Sequence, residues 1–164
     1  MDSGREDQEL EIHKEKIMIE KTIQSLKFLC DRIPALLEAI PEEEFSKKPA
    51  PDKWSKKEIL GHLIDSATNN HHRFIRVQFE DKPHIAYDQN EWNRASRYNE
   101  MDKSHLIAFW ALYNRHLVEI ISRIPEKDLE RQLVIHELRP VTLGFIINDY
   151  IVHLEHHLHQ LVEY

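Results

Sequence analysis

The sequence predicts an all-α protein, a four-helix bundle with a long connection between its second and third helices. Mostly apolar residues recur at gaps of three and four in four separate stretches, the spacing that gives a helix one stripe to bury. Only 3 residues are glycine, which suits long helices joined by short connections. No stretch shows a convincing apolar–polar alternation of the kind a half-buried strand needs.

The first helix is expected from about Asp7 to about Ile40. Ile19, Ile23, Leu26, Cys30, Ile33, Leu37 and Ile40 form its seam, and Pro34 within it should kink or restart the helix. Pro41 then opens a polar connection that runs through Pro49, Pro51 and Asp52. Ser55 followed by Glu58 fits a capping box, so the second helix should start there. Ile59, Leu63, Ala67, Asn70, Phe74 and Val77 share one face of it, and its end is expected near Asp81-Lys82-Pro83. Residues 84–102 read as a long loop with at most one short helix. The third helix should run from about Lys103 to Ile124, with Leu106, Trp110, Tyr113, Leu117, Ile120 and Ile124 inward and Pro125 ending it. A connection through His136 to Pro140 leads to Thr142, the expected N-cap of the fourth helix. Leu143, Ile147, Tyr150, Leu154, His157 and Leu161 make its inner stripe. Connections this unequal allow a topology other than simple up-and-down.

At 164 residues the chain is expected to be a single bundle domain, 1–164, long enough to bury a full core. A net charge of -7 repels phosphate backbones, so nucleic acid is not an expected partner. No apolar run approaches the roughly 18 residues of a membrane span, and the first residues lack the apolar centre of a signal peptide. Cys30, the one cysteine, cannot form an intrachain disulfide, which fits a reducing, cytoplasmic setting. Its place on the seam of the first helix marks it as a small buried hydrophobe rather than a catalytic thiol.

The chemistry is concentrated in the fourth helix. His153, His156, His157 and His159 fall within seven residues. His153 and His157 are spaced i,i+4, which stacks them on one face about 6 Å apart, a two-pronged grip for one divalent cation. His157 takes an inner-stripe position, and His153 lies about 40° from it at the helical advance per residue. His62, in Gly61-His62-Leu63, sits between seam positions of the second helix. Three imidazoles from two helices are thus expected to converge inside the bundle as metal ligands: His62, His153 and His157. Burying them without partners is costly, and a metal satisfies their lone pairs. His156 and His159 should face the surface. His71, His72, His84, His116 and His136 show no ligand spacing, with His116 the nearest candidate for a fourth ligand. Glu-x-x-His pairs are absent from the inner stripe, which argues against a di-iron site, and there is no His-Glu-x-x-His for a zincin protease.

The combination of Lys53-Trp54-Ser55-x-x-Glu58-Ile59-Leu60-Gly61-His62-Leu63, Tyr87-Asp88-x-x-x-Trp92, Thr142-Leu143 and His153-x-x-His156-His157-x-x-Gln160 resembles the DinB/YfiT-like superfamily across nearly the whole chain. The resemblance implies a four-helix bundle with a three-histidine site for a divalent metal, most often zinc or nickel, on His62, His153 and His157. Some members resemble thiol-dependent S-transferases or isomerases, and others are designated metal-dependent hydrolases. Many are dimers, so the resemblance leaves room for a homodimer.

Two classes of function follow. In the first, the metal activates a water or a low-molecular-weight thiol that attacks a small-molecule substrate, as in a thiol-dependent S-transferase or a hydrolase. Tyr87, Asp88 and Trp92 would then line the pocket mouth, with Asp88 either orienting a ligand or simply capping a helix, and Trp54 serving as a packing anchor. In the second, the bundle is a non-catalytic metal- or ligand-binding module. Metal affinity is expected to fall below about pH 6 if the imidazoles titrate near the ordinary value of ~6.5.

Overall fold

The computed structural model describes residues 3–135 and 139–164, with side chains described at residue 14 and from residue 16 onward within those ranges. The helices are α1 (Ser3–Glu38), α2 (Glu42–Ser46), α3 (Lys56–Arg76), α4 (Gln89–Ser96), α5 (Lys103–Ile121) and α6 (Leu143–Leu158), and a two-stranded sheet of β1 (Gln132–Val134) and β2 (Pro140–Thr142) precedes α6. His136 lies outside the described residues.

The predicted seams are the core. Leu26, Ile33 and Leu37 of α1, Leu63, Ala67 and Phe74 of α3, Trp110 and Leu117 of α5, and Leu143, Ile147 and Leu154 of α6 are fully buried. α1 continues through Pro34 as one helix, so the expected restart does not occur. Past its end, the carbonyl oxygens of Glu38 and Ile40 accept from Lys103 Nζ at 2.9 and 2.7 Å, which satisfies acceptors that have no partner within the helix.

α1 packs on α5 and α6, and α3 packs on the same two helices. α1 and α3 therefore face each other across one diagonal of the bundle, and α5 and α6 across the other. Long helices that are consecutive in sequence sit diagonally at both ends of the chain order, which a simple up-and-down bundle does not allow. The 39–55 connection, which contains α2, and the 122–142 connection, which contains the strands, supply the reach. Among the described residues, no helix is long and apolar enough to cross a membrane.

Ser55 caps α3 as the sequence predicts: its hydroxyl accepts from Glu58 N–H at 3.0 Å, and Glu58 accepts from Ser55 N–H at 2.8 Å. α3 ends at Arg76 rather than near Asp81. A turn follows, with Lys82 in the left-handed region at φ 44°, and Arg131 donates to the carbonyls of Val77 and Glu80 at 2.6 and 3.1 Å. α5 ends at Ile121, three residues before the expected Ile124.

Two features correct the sequence reading. The polar stretch after Pro41 contains α2, whose Phe45 is fully buried. The connection before α6 contains strands, antiparallel with Leu133 opposite Val141. The 83–85 segment joins β1 through Ile85 N–H to Val134 O at 2.9 Å and Val134 N–H to Pro83 O at 3.0 Å. That bridge draws the long connection back onto α3, and so shapes one wall of the cavity described below.

Candidate metal centre

α3 and α6 pack together and bring His62, His153 and His157 into one cluster. One ring nitrogen from each lies within 4.8 Å of those of the other two. Nε2 of His62 and Nε2 of His153 stand 3.2 Å apart. Ring centroids are separated by 5.1 Å for His62 and His153, 4.8 Å for His62 and His157, and 4.6 Å for His153 and His157. His62 is fully buried, and His153 and His157 are half-buried.

Burial is the main cause of their electrostatics. It pushes His62 down to about 3, with His153 and His157 adding to the effect. It pushes His153 down to about 4, with further lowering from His157, His156 and Arg73, and it lowers His157 as well. All three imidazoles are therefore neutral at neutral pH, the form that ligates metals. Nδ1 of His62 and Nδ1 of His157 are buried without a hydrogen-bond partner. Three neutral imidazoles with one nitrogen each converging, Nε2 of His62 on Nε2 of His153 among them, are a donor set that a divalent cation fits. Among the described residues, no fourth His, Cys, Asp or Glu joins the cluster.

The other histidines sort by position. His156 and His159 are exposed, as the helical geometry predicts. Gln160 and His156 are bonded to each other at 3.1 Å on the surface. His116 does not approach the cluster; it faces His71 with ring centroids 5.3 Å apart, and His71 Nδ1 lies 3.1 Å from Tyr113 Oη. Cys30 is buried and its thiol is pushed up to about 11 by desolvation, consistent with a core residue.

Trp54 does more than anchor α3. Its ring packs on His62 with centroids 5.0 Å apart, and it also lines a groove of about 710 Å³ together with Lys53, Ile59 and Gln160. On the other side, a cavity of about 660 Å³ opens at His153, lined by Tyr87, Asp88 and Arg73 among others. Tyr87 and Asp88 thus reach the cavity as expected. Trp92 is not in its lining; it packs edge-on against Tyr87 at 5.4 Å. Asp88 is the N-cap of α4, where its carboxylate accepts from the N–H groups of Asn90 and Glu91 at 2.9 and 3.0 Å.

The sequence reading missed a buried polar pair between α3 and the 84–102 connection. Tyr98 donates to Asp65 Oδ1, while Asp65 Oδ2 is buried without a partner. Burial raises the Asp65 carboxyl to about 6 despite the Tyr98 bond, which lowers it. Asp65 falls three residues after His62 on α3, a spacing that could have flagged it as a neighbour of the cluster.

The sequence profile of the DinB superfamily matches residues 26–161. The chain belongs to that superfamily. Within it, the chain is similar to OB0782 of Oceanobacillus iheyensis, named a "putative metal-dependent hydrolase", with 29% identity over 106 residues covering 64% of this chain and 61% of that protein. OB0413 of the same organism bears the same designation and is 24% identical over 149 residues, 88% of this chain and 85% of its own length. Among solved structures, YfiT from Bacillus subtilis superposes with a TM-score of 0.79 at 20% identity, covering 87% of this chain and 83% of YfiT; it is described as having an unusual four-helix bundle topology. At that identity the likeness speaks for the fold alone.

Proposed function

We propose that this DinB superfamily protein is a divalent-metal-dependent hydrolase of small molecules, with His62, His153 and His157 as its protein ligands. The observation that carries the reading is the cluster itself: three neutral imidazoles from two helices beside a cavity that reaches His153. Three protein ligands leave a coordination position for water or substrate, as in catalytic rather than structural sites. A divalent cation, when bound, supplies Lewis acidity that acidifies water or polarises a substrate oxygen. Zinc or nickel suits an all-imidazole set better than calcium or magnesium, which favour oxygen donors. The chain's own residues hold and shield the site. α3 and α6 fix the imidazoles, Trp54 covers one face of His62, and Tyr87 walls the cavity. The designation carried by the relatives supports the same reading.

The test is to purify the protein without chelator, measure its metal content and assay a panel of small esters, amides and lactones with and without bacillithiol or mycothiol. Hydrolysis without thiol, lost on chelation and in His157→Ala, is the expected result. Turnover only with a thiol would instead identify a thiol-dependent S-transferase. Tightly held metal with no turnover of any kind would identify a binding module.

A further inference from the structure

The cavity at His153 contains a buried cation that, among the described residues, has no acidic ion-pair partner. Arg73, on α3, is 8% exposed and lines that cavity. Its Nε and Nη2 donate to the carbonyl oxygen of Ile85 at 3.2 and 3.1 Å, and its Nη1 donates to Asn70 Oδ1 at 3.3 Å. A guanidinium has five N–H groups, so one remains on each terminal nitrogen. Among the described residues, no carboxylate lies within ion-pair distance of Arg73. Two acids share the cavity lining, and neither neutralises it: Asp88 caps α4, and Asp149 is exposed at the rim and influences Arg73 only through space. A buried charge without a counter-charge costs several kcal/mol in a folded protein, which makes the missing partner informative.

The surroundings favour an anion with an apolar body. Arg139 also lines the cavity, and so do the apolar side chains of Ile135, Val141 and Phe145. The Arg73 charge reaches the cluster, since Arg73 is among the groups that lower His153, after burial and the neighbouring histidines. On the metal-dependent reading above, a divalent cation would add to this positive field in the same cavity.

We propose that Arg73 binds the carboxylate of a small, partly apolar acid, whose body lies across Ile135, Val141 and Phe145 and whose reacting bond lies toward His153. The planar guanidinium fork matches a carboxylate through its two remaining N–H groups. Asn70 and the Ile85 carbonyl orient that fork, so the 83–85 bridge to β1 is part of the acid-binding site.

The test is calorimetric titration of the protein as purified with hexanoate and with hexanamide, its neutral counterpart, with metal content measured on the same sample. Hexanoate should bind more tightly than hexanamide by about tenfold or more, the worth of a charge-assisted bond. Arg73→Gln should lose that preference, Arg73→Lys should keep part of it, and metal content should be the same in all three proteins. Equal binding of acid and amide would overturn the proposal. So would a preference that survives Arg73→Gln but disappears in His157→Ala, because the carboxylate would then be held by the metal. Protein that binds hexanoate through Arg73 yet contains no metal would refute the metal reading alone. If Arg73→Gln does not fold, the Arg73 Nε–H resonance of the native protein decides: it should shift with hexanoate and stay put with hexanamide.

Discussion

The ring of Tyr98 occupies the space that a side chain on Gly61 would need. A Cβ built on Gly61 would lie 2.1 Å from Tyr98 Cδ2 and 2.2 Å from Cγ. One helical turn later, the same tyrosine donates to Asp65. Gly61 and Asp65 are thus i,i+4 partners under a single ring, one supplying room and the other an acceptor. Gly61→Ala should destabilise the protein by about 1–3 kcal/mol through overpacking, measured by urea unfolding. An unchanged midpoint would mean that Tyr98 can move aside freely.

Asp65→Asn should be stabilising at pH 8 and close to neutral at pH 4. The folded carboxyl titrates near 6 against an ordinary 3.8, because burial disfavours its charge. The native state therefore holds this proton more tightly than the unfolded chain. The contribution is fully present below the ordinary value and is lost as pH rises through about 6. Removing the charge should recover up to about 3 kcal/mol at pH 8. Denaturant titrations of both proteins at the two pH values check it; equal stability at pH 8 would show that the carboxylate is better solvated than its burial implies.

His153→Ala and His157→Ala should each abolish stoichiometric metal binding while the far-ultraviolet circular dichroism stays helical. The two residues share one face of α6 and no fourth donor among the described residues can substitute. Elemental analysis of the purified variants reads the outcome. Full metal content in both would place the cation elsewhere.

Acid should weaken the metal-free protein, and metal should be retained to lower pH than free imidazole chemistry predicts. His62 near 3 and His153 near 4 are depressed first by burial. Their stabilising contribution is complete above ~6.5, the unfolded value, and is lost as pH falls toward 4 and 3. Asp65 acts in the opposite direction between 6 and 3.8, but the two histidines span the wider range. Proton competition for the ligands shifts downward with them, so metal release should begin below pH 6, the onset that free imidazole would give. Release that tracks a midpoint near 6.5 would indicate that the ligands are hydrated in solution.

The bundle was legible because its seams are periodic: residue after residue from Ile19 to Ile40, and from Leu143 to Leu161, lands in the core where the spacing puts it. His62, His153 and His157 were legible for the same reason, since each falls at or beside a seam position. What escaped depended on chain reversal. Arg73 reads in sequence as an ordinary basic residue in the last turn of a helix. Residues 83–85 fold back to join β1 and bring the Ile85 carbonyl onto its guanidinium. The strands are three residues long, too short for an alternation to register, and the Asp65–Tyr98 pair joins positions 33 apart across a loop. Trp54 seemed a packing residue because nothing in its neighbourhood in the chain announces that its ring will meet His62.

His62 and His153 are 91 positions apart in the chain, yet their nitrogens face each other at 3.2 Å. A cation shared between them would tether two remote segments, much as a cross-link does, by closing a very long loop. Folding and loading would then be linked equilibria, in which the resistance of the protein to unfolding rises with the free cation concentration relative to its dissociation constant. The cellular lifetime of such a chain would follow the supply of its metal.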